Sequence, residues 1–445
     1  QDAASGELRY GERDDFIALN LGGDSQKARL PGPRSEVQLK TAPRETATPN
    51  DYMNTRSQIA SLRGEKRFDE FTLAMDVGHR EKTVRFFSDF GFGFTSKQDT
   101  EVKVDSISPR LQWSAPIGGL QNRLTVGFDW SEWTYTNDWL NSFGNRDEKG
   151  KQRNRAVYFR DELALRPGTR VTIGARREHV DQSQEEYLTP IPKTSVSHKL
   201  SAYELALQQN LGQGLFAYGR LGKSYRVGNI DDNRCFFPPC NPLLKPQRSH
   251  EQELGLQWHD KRSSFRISLF DVDLDDEIHF NAITFTNMNL SPTERRGLEL
   301  EGKVLLGETV DISGRYAHTT ARFRSGIYLG NDVSGNDVPL VPEERISLIL
   351  GWQPLSATRL SATVYYVGSQ RYDNDQVNRF RSMPDYTITD IKVSHEIGPW
   401  RLAAGINNLF DKEYYSYGIV NGTFTSFNAY PEDRRNGYVS AEYRW

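Results

Sequence analysis

Tyr438-Val439-Ser440-Ala441-Glu442-Tyr443-Arg444-Trp445 ends the sequence, and its alternation decides how the rest is read. Successive side chains of an extended strand point to opposite faces, so Val439, Ala441, Tyr443 and Trp445 share one face. Tyr438, Ser440, Glu442 and Arg444 share the other. Chain ends in water usually fray, and an apolar face carried to an aromatic last residue is an odd choice for one. It fits a paired strand whose outer face meets lipid at a membrane interface.

Composition is compatible with that reading. Of 445 residues 36% are hydrophobic, the mean hydropathy is -0.67, and no apolar run reaches the roughly 18 residues that a membrane-crossing helix needs. A barrel strand needs only every second residue to be apolar, while polar loops and a wet interior dilute the average further. A soluble all-β protein shares the alternation and is the reading to beat. No Pro/Ser-rich linker divides the chain, so residues 1–445 are expected to form a single domain whose first 50 residues hold the least defined strands. The 56 basic and 59 acidic residues are spread throughout, leaving a net charge of -3 and no footprint for nucleic acid. No signal peptide precedes Gln1, as expected of a mature chain or a fragment.

The alternation recurs along the chain. Leu124, Val126, Phe128 and Trp130 oppose Thr125, Gly127, Asp129 and Ser131; Leu254, Leu256 and Trp258 face Phe265, Ile267 and Leu269; Ile346, Leu348, Leu350 and Trp352 precede Leu360, Ala362, Val364 and Tyr366. Short pieces at Glu7–Tyr10, Phe16–Leu21 and Val37–Leu39, separated by Gly, Pro and charge, read either as narrow strands or as partly disordered chain. One set of connections is tight: Pro167-Gly168, Gly212-Gln213-Gly214, His259-Asp260-Lys261-Arg262 and Leu306-Gly307-Glu308. The alternate set, including 225–247, 324–340 and 369–383, is long and polar. A soluble sandwich or propeller has no reason to keep one rim tight and the other ragged, whereas an outer-membrane barrel does. The polar face, with Glu251, Glu253, Gln257, Glu299, Glu301, Lys303, Arg401 and Asn407, then lines a wet interior.

Chemistry-bearing motifs are sparse. The eight histidines show no HExxH or other ligand spacing. Cys235 and Cys240 lack the spacing of a zinc or redox site and are expected to form a disulfide in a proline-stiffened loop. Asp271, Asp273 and Asp275 share the register of Phe265 to Leu269. Carboxylates cannot face hydrocarbon, so the strand must leave the bilayer or bulge there; a metal site is the weaker alternative. No catalytic constellation and no cofactor are expected. Ligand capture falls to the long-loop side. Candidates are the flat aromatics Phe90 and Phe92 in a phenylalanine-rich loop spanning 85–94, Trp133, Tyr135 and Trp139 in a second aromatic loop, and Tyr372. Arg226, Asp231 and Arg234 beside the cysteines are candidates for charged groups.

Ile406-Asn407-Asn408-Leu409-Phe410-Asp411-Lys412-Glu413-Tyr414-Tyr415 resembles the penultimate-strand signature of TonB-dependent outer-membrane receptors. The strand bearing Tyr443 and Trp445 resembles their assembly signal. Leu244-Lys245-Pro246-Gln247, Arg295-Arg296-Gly297-Leu298-Glu299-Leu300-Glu301, Val341-Pro342-Glu343-Glu344-Arg345 and Tyr366-Val367-Gly368 are similar in the same order, over roughly residues 50–445. The resemblance implies an antiparallel transmembrane β-barrel of 22 strands in a Gram-negative outer membrane, with short periplasmic turns and long extracellular loops. It implies import of a scarce chelated metal or cofactor, such as a siderophore, haem or cobalamin. Outer-membrane lipid, the barrel assembly machinery and an energy transducer acting through an N-terminal plug are the implied partners. Residues 1–50 are too short for that plug and unlike it, so this chain is expected to lack it. The rival expectations are a passive porin-like pore and a structural surface receptor.

Overall fold

The computed structural model describes all residues except 92, 143, 187–190, 234–242, 282–285 and 445, and the side chains of 186, 191, 192 and 231 are also left aside. Nineteen antiparallel strands form one sheet in which each strand pairs with its neighbours in chain order. They are Asp2–Glu12, Asp15–Arg29, Tyr52–Phe68, Phe71–Asp89, Thr95–Trp113, Asn122–Asn141, Gly144–Arg166, Thr169–Glu186, Ile191–Gly212, Leu215–Arg226, Gln247–His259, Ser263–Asp275, Thr293–Leu306, Val310–Phe323, Glu344–Leu355, Thr358–Val367, Tyr386–Ile397, Trp400–Asn407 and Asn436–Tyr443. Among the described residues the sheet thus counts nineteen strands, against the 22 that the resemblance implies. Among the described residues no pairing joins Asp2–Glu12 to Asn436–Tyr443, and both are exposed along their length.

Register confirms the two-faced reading. Leu254 lies opposite Leu269, Leu256 opposite Ile267 and Trp258 opposite Phe265, and Leu402 and Trp400 lie opposite Ala441 and Tyr443. Leu205, Leu254, Leu269, Leu348 and Trp352 all stand exposed on this face. A contiguous apolar surface of that extent is an interaction surface, and on a barrel wall its partner is lipid. On the opposite face Arg110 and Arg63 pair with Asp76 at 2.6 and 2.7 Å, Arg266 with Glu253 at 2.8 Å, and Arg359 with Asp311 at 2.7 Å.

The wall is lopsided. Strands Phe71–Asp89 to Ile191–Gly212 run to as many as 23 residues, whereas those from Thr358–Val367 onward have 8 to 12. Above the short sector the connections fold into a cap with two apolar clusters. Leu290, Phe323, Tyr328, Val333 and Val338 form one, and Tyr372, Met383, Val420, Phe427 and Ala429 the other. The second includes Leu39 from the 30–51 connection, whose Arg34 and Ser35 pair with Ala429 and Asn428. This contact links the second strand's connection to that of the last two strands.

Three local expectations are corrected. Val37–Leu39 lie in the helix Glu36–Thr41, because Ser35 and Gln38 form a reciprocal capping box that alternation cannot reveal. Residues 85–89 belong to the strand Phe71–Asp89, and the loop shrinks to 90–94, because Phe86 and Phe87 find register partners in Met53 and Tyr52. Trp133, Tyr135 and Trp139 are likewise in a strand rather than a loop. Of the two alternatives for the aspartate run, the bulge is not seen: the strand Ser263–Asp275 runs on through Asp271, Asp273 and Asp275, as a strand rising out of the bilayer would. Arginines meet these carboxylates: Arg296 holds Asp271 at 3.0 Å and Arg324 holds Asp275 at 2.7 Å.

Three inward glycines explain themselves by what covers them. Tyr158, Tyr218 and Tyr438 lie directly opposite Gly127, Gly255 and Gly405 in register, and each ring occupies the space a Cβ would take. At Gly255 that ring is 2.5 Å from the Cβ position. Gly255→Val is therefore expected to displace Tyr218 from its bond to Glu253 and to destabilise the barrel by roughly 1–3 kcal/mol. A lower temperature for the loss of the compact, heat-modifiable gel form checks this; an unchanged temperature would refute the packing role.

Candidate functional site

The expected aromatic contacts come together on the inner wall of the tall sector. In Asn122–Asn141, Trp133, Tyr135 and Trp139 share the parity of Asp129 and Asn137, opposite to lipid-facing Val126 and Phe128. Tyr135 is 4% and Trp139 7% exposed. Trp139 donates its indole N–H to Ser96 at 2.7 Å, with the Arg146 guanidinium 5.2 Å from its ring. Asn137 between them bonds Glu148 at 3.0 Å and Thr100 at 2.8 Å. Aromatics alternating with bonded amides on a β wall give a flat surface held in place by its polar neighbours.

The connection after Leu215–Arg226 folds onto this wall. Gln182 donates to the Gly228 carbonyl at 2.7 Å and to Gln152 at 2.8 Å. Ile230 is buried against Gly150, the register partner of Tyr135. Arg226 ends the strand exposed, 3.4 Å from Asp232, which in turn caps Asn229 at 2.8 Å. The Asp231 backbone sits in the short 3-10 turn Asp231–Asn233, its side chain left undescribed. Phe92, Arg234, Cys235, Cys240 and Trp445 lie outside the described residues, and so does the expected disulfide. Below, an inner network joins Arg176 to Asp129 and Glu178, and Tyr225 and Asn154 to Glu178.

Two expected contact residues lie elsewhere. Phe90 is exposed in the turn between two tall strands. Tyr372 has 0% exposure, bonds the Tyr415 hydroxyl at 2.7 Å and packs on Phe380 and Phe427. It holds the cap together and offers no surface to a solute. The sequence reading did not foresee the polar hub beside it. Tyr417 donates to Asp373 at 2.6 Å, His279 lies 3.1 Å from Gln376, and Asn336 donates to the Gln376 carbonyl at 3.0 Å. Three connections thereby meet the 368–385 segment. Burial raises the Asp375 carboxyl above the usual carboxylate range. The Asp-Asn-Asp-Gln run was the available signal, but a polar tetrapeptide in a long loop reads as solvated.

The motif Asn407 to Asp411 is a clasp at the extracellular end of Trp400–Asn407. Asn408, in the left-handed region at φ 50°, receives Lys412 N–H at 2.8 Å and donates to the Lys412 and Asp433 carbonyls. Leu409 donates its backbone N–H to the Thr389 carbonyl, while Phe410 is exposed. Asp411 takes both arms of Arg434, at 2.9 and 2.6 Å, and the Arg435 N–H at 3.0 Å. At the other end Tyr443 sets its ring 5.0 Å from Trp400 on the outer face.

A tall polar-lined wall, an outer apolar band and loops gathered on one rim define an outer-membrane β-barrel. A family described as TonB-dependent receptor-like, beta-barrel matches residues 4–409. The chain belongs to that family, and its place is the outer membrane of a Gram-negative cell. It is 23% identical over 350 residues, 75% of this chain and 43% of the relative, to a ferrichrome outer membrane transporter/phage receptor of Escherichia coli K12. It is 22% identical to a ferric enterobactin receptor of Pseudomonas aeruginosa, over 72% of this chain and 48% of that one. The chain thus spans about half the length of the curated relatives it matches. The ferric citrate transporter FecA has the same fold, with TM-score 0.83 at 18% identity over 99% of this chain and 69% of that one. So does the ferric-catecholate import receptor Fiu of E. coli K12, with TM-score 0.81 at 16% identity over 99% and 74%.

Arg434, bonded to Asp411, holds that carboxyl well below the usual range. A depressed folded pKa means the pair stabilises the clasp at every pH above the unfolded value, about 4, and loses its contribution as the pH falls through the depressed value. Asp411→Asn is expected to speed protease cleavage within 408–435 at neutral pH to the rate the parent reaches only in strong acid. Equal cleavage of both proteins at pH 7 would show that the pair does not hold the clasp.

Proposed function

We propose that the chain is the barrel of an importer that captures a large, scarce metal chelate or cofactor, of siderophore, haem or cobalamin size, at the cell surface. The observation that carries this reading is the half-buried Trp133, backed by the buried Tyr135 and Trp139, at the extracellular end of an ion-paired inner wall. Flat aromatics bind a large solute over area, and an arginine-lined wall below offers it exchangeable polar contacts. No bond is made or broken in this passage. The iron chelates in the names of the relatives point to an iron complex as the first solute to test.

In this reading the polar inner wall receives a plug domain that an inner-membrane transducer displaces at the cost of the proton gradient. Arg226 supplements the aromatics with charge, and Val439, Ala441 and Tyr443 present the outward signal read by the assembly machinery.

The test expresses the complete gene product in a receptor-deficient Gram-negative host and follows uptake of labelled ferric hydroxamate, ferric catecholate, ferric citrate, haem and cobalamin. One of these is expected to enter saturably and to stop when the proton gradient collapses. Trp133→Ala with Trp139→Ala is expected to weaken its binding roughly ten-fold, the loss typical of central aromatic contacts. Uptake that neither saturates nor depends on the gradient would mark a passive pore instead.

A further inference from the structure

A carboxylate stands among the lipid-facing side chains of the wall. On Gly144–Arg166 the outward row reads Leu163, Asp161, Phe159 and Val157. Register fixes the direction: Asp161 lies opposite Leu124 on one side and Ile173 on the other, just as Phe159 lies opposite Val126 and Ala175. Val126, Phe159 and Ile173 are all exposed on the outer face. The ladder is unbroken through these pairs, and the bulge of this hairpin falls below them, between Ala164 and Arg166. The chain neighbours Arg160 and Glu162 take the opposite parity and pair inside with Glu204 and Arg123.

The row that holds Asp161 also fixes its depth. It passes from Phe71 through Trp113 and Leu124 to Asp161. Phe71 and Trp113 end their strands at the tight, periplasmic rim and stack with ring centroids 6.4 Å apart. Outward aromatics of this kind mark the level of the lipid headgroups. Asn122, the first residue of its strand, lies one diagonal step below Asp161 and donates its amide N–H to that carboxylate at 2.5 Å. The pair thus straddles the periplasmic boundary of the apolar band.

Acceptors outnumber donors there. Among the described residues no cation pairs with Asp161, whose hydrogen-bond partner is Asn122. Asn122 is 7% exposed, and its Oδ1 has no partner among the described residues. By contrast Asp15, outward at the same rim, is answered by Lys66. An ionisable group on a lipid-facing surface is costly and marks a functional position.

We propose that Asp161 and Asn122 seat the ammonium of an ethanolamine-type phospholipid of the periplasmic leaflet. A primary ammonium brings one positive charge and three donors, which match the uncompensated carboxylate and the unanswered amide carbonyl. The surroundings favour a lipid over a protein. The residues above, below and to either side, Phe159, Leu163, Leu124 and Ile173, are apolar and offer a protein partner no second polar anchor, whereas acyl chains cover them readily. Low dielectric beside the hydrocarbon strengthens the ion pair, and salt screens it little. A choline headgroup of equal charge has no N–H, and a glycerol headgroup has no cation, so neither serves the pair. The inference rests on outer-membrane placement alone and is independent of any transport role.

The complete protein, in nanodiscs of equal parts phosphatidylethanolamine, phosphatidylcholine and phosphatidylglycerol, is released for native mass spectrometry that counts each lipid retained. The parent is expected to keep phosphatidylethanolamine in preference to the other two. Asp161→Asn keeps the size of the side chain but drops its charge, and is expected to lower that preference about five-fold. Asp161→Lys is expected to transfer it to phosphatidylglycerol, and the heat-modifiable gel form verifies that each variant is folded. Equal retention of the three lipids by the parent, a preference unchanged in Asp161→Asn, or loss of a bound protein instead of a lipid on substitution would each overturn the proposal.

Discussion

A backbone that crosses hydrocarbon cannot leave its N–H and C=O groups unpaired, because no water is there to take them. Nearly everything in this molecule follows from that requirement. Extended strands satisfy it only by pairing with neighbours, and pairing forces side chains alternately outward and inward. The outward set must then be apolar, as Leu254, Leu256, Ile267 and Leu269 are, while the inward set is free to be charged. Ion pairs such as Arg266 with Glu253 and Arg359 with Asp311 occupy the freedom so created.

The constraint ends with the hydrocarbon, and the protein's individuality begins there. Over 71–212 the strands continue as a tall wall that carries aromatics on its inner face and charges of both signs on its outer face. Over 344–443 they stop early and their connections fold into a cap with apolar clusters of its own. The wall's two exposed edge strands flank the region where the 30–51 connection reaches across to pair with Phe427–Pro431. Cap and wall therefore solve different problems: one organises loops against each other in water, the other presents rigid surfaces from a continuous hydrogen-bonded ladder.

The aromatic residues show how environment assigns roles to one residue type. Tyr218 and Tyr438 cover inward glycines, Tyr443 packs on Trp400 facing lipid, Tyr372 sits at the centre of the cap, and Tyr135 belongs to the inner face above the membrane. Tyr135 is buried there beside the bonded pair Asn137 and Glu148, as Tyr372 is buried in the cap. Tyr372 and Tyr135 look equally eligible as isolated letters in polar stretches.

By itself the sequence determined the β-barrel architecture, the sense of inside and outside, and the tight and ragged rims, because period-two alternation is local and parity carries across any unbroken strand. The inward direction of Glu251, Glu253, Glu299 and Arg401 was legible for the same reason. What only the tertiary structure decided is where strands end and what the connections pack against. Trp133, Tyr135 and Trp139 read as loop because their polar outward partners, Glu132, Thr134 and Asp138, lie above the bilayer, where nothing requires an apolar face. Tyr372 read as exposed because its partners Tyr415 and Phe427 are more than forty residues away. Such contacts are set by how four connections fold over one rim, and no short-range pattern encodes them.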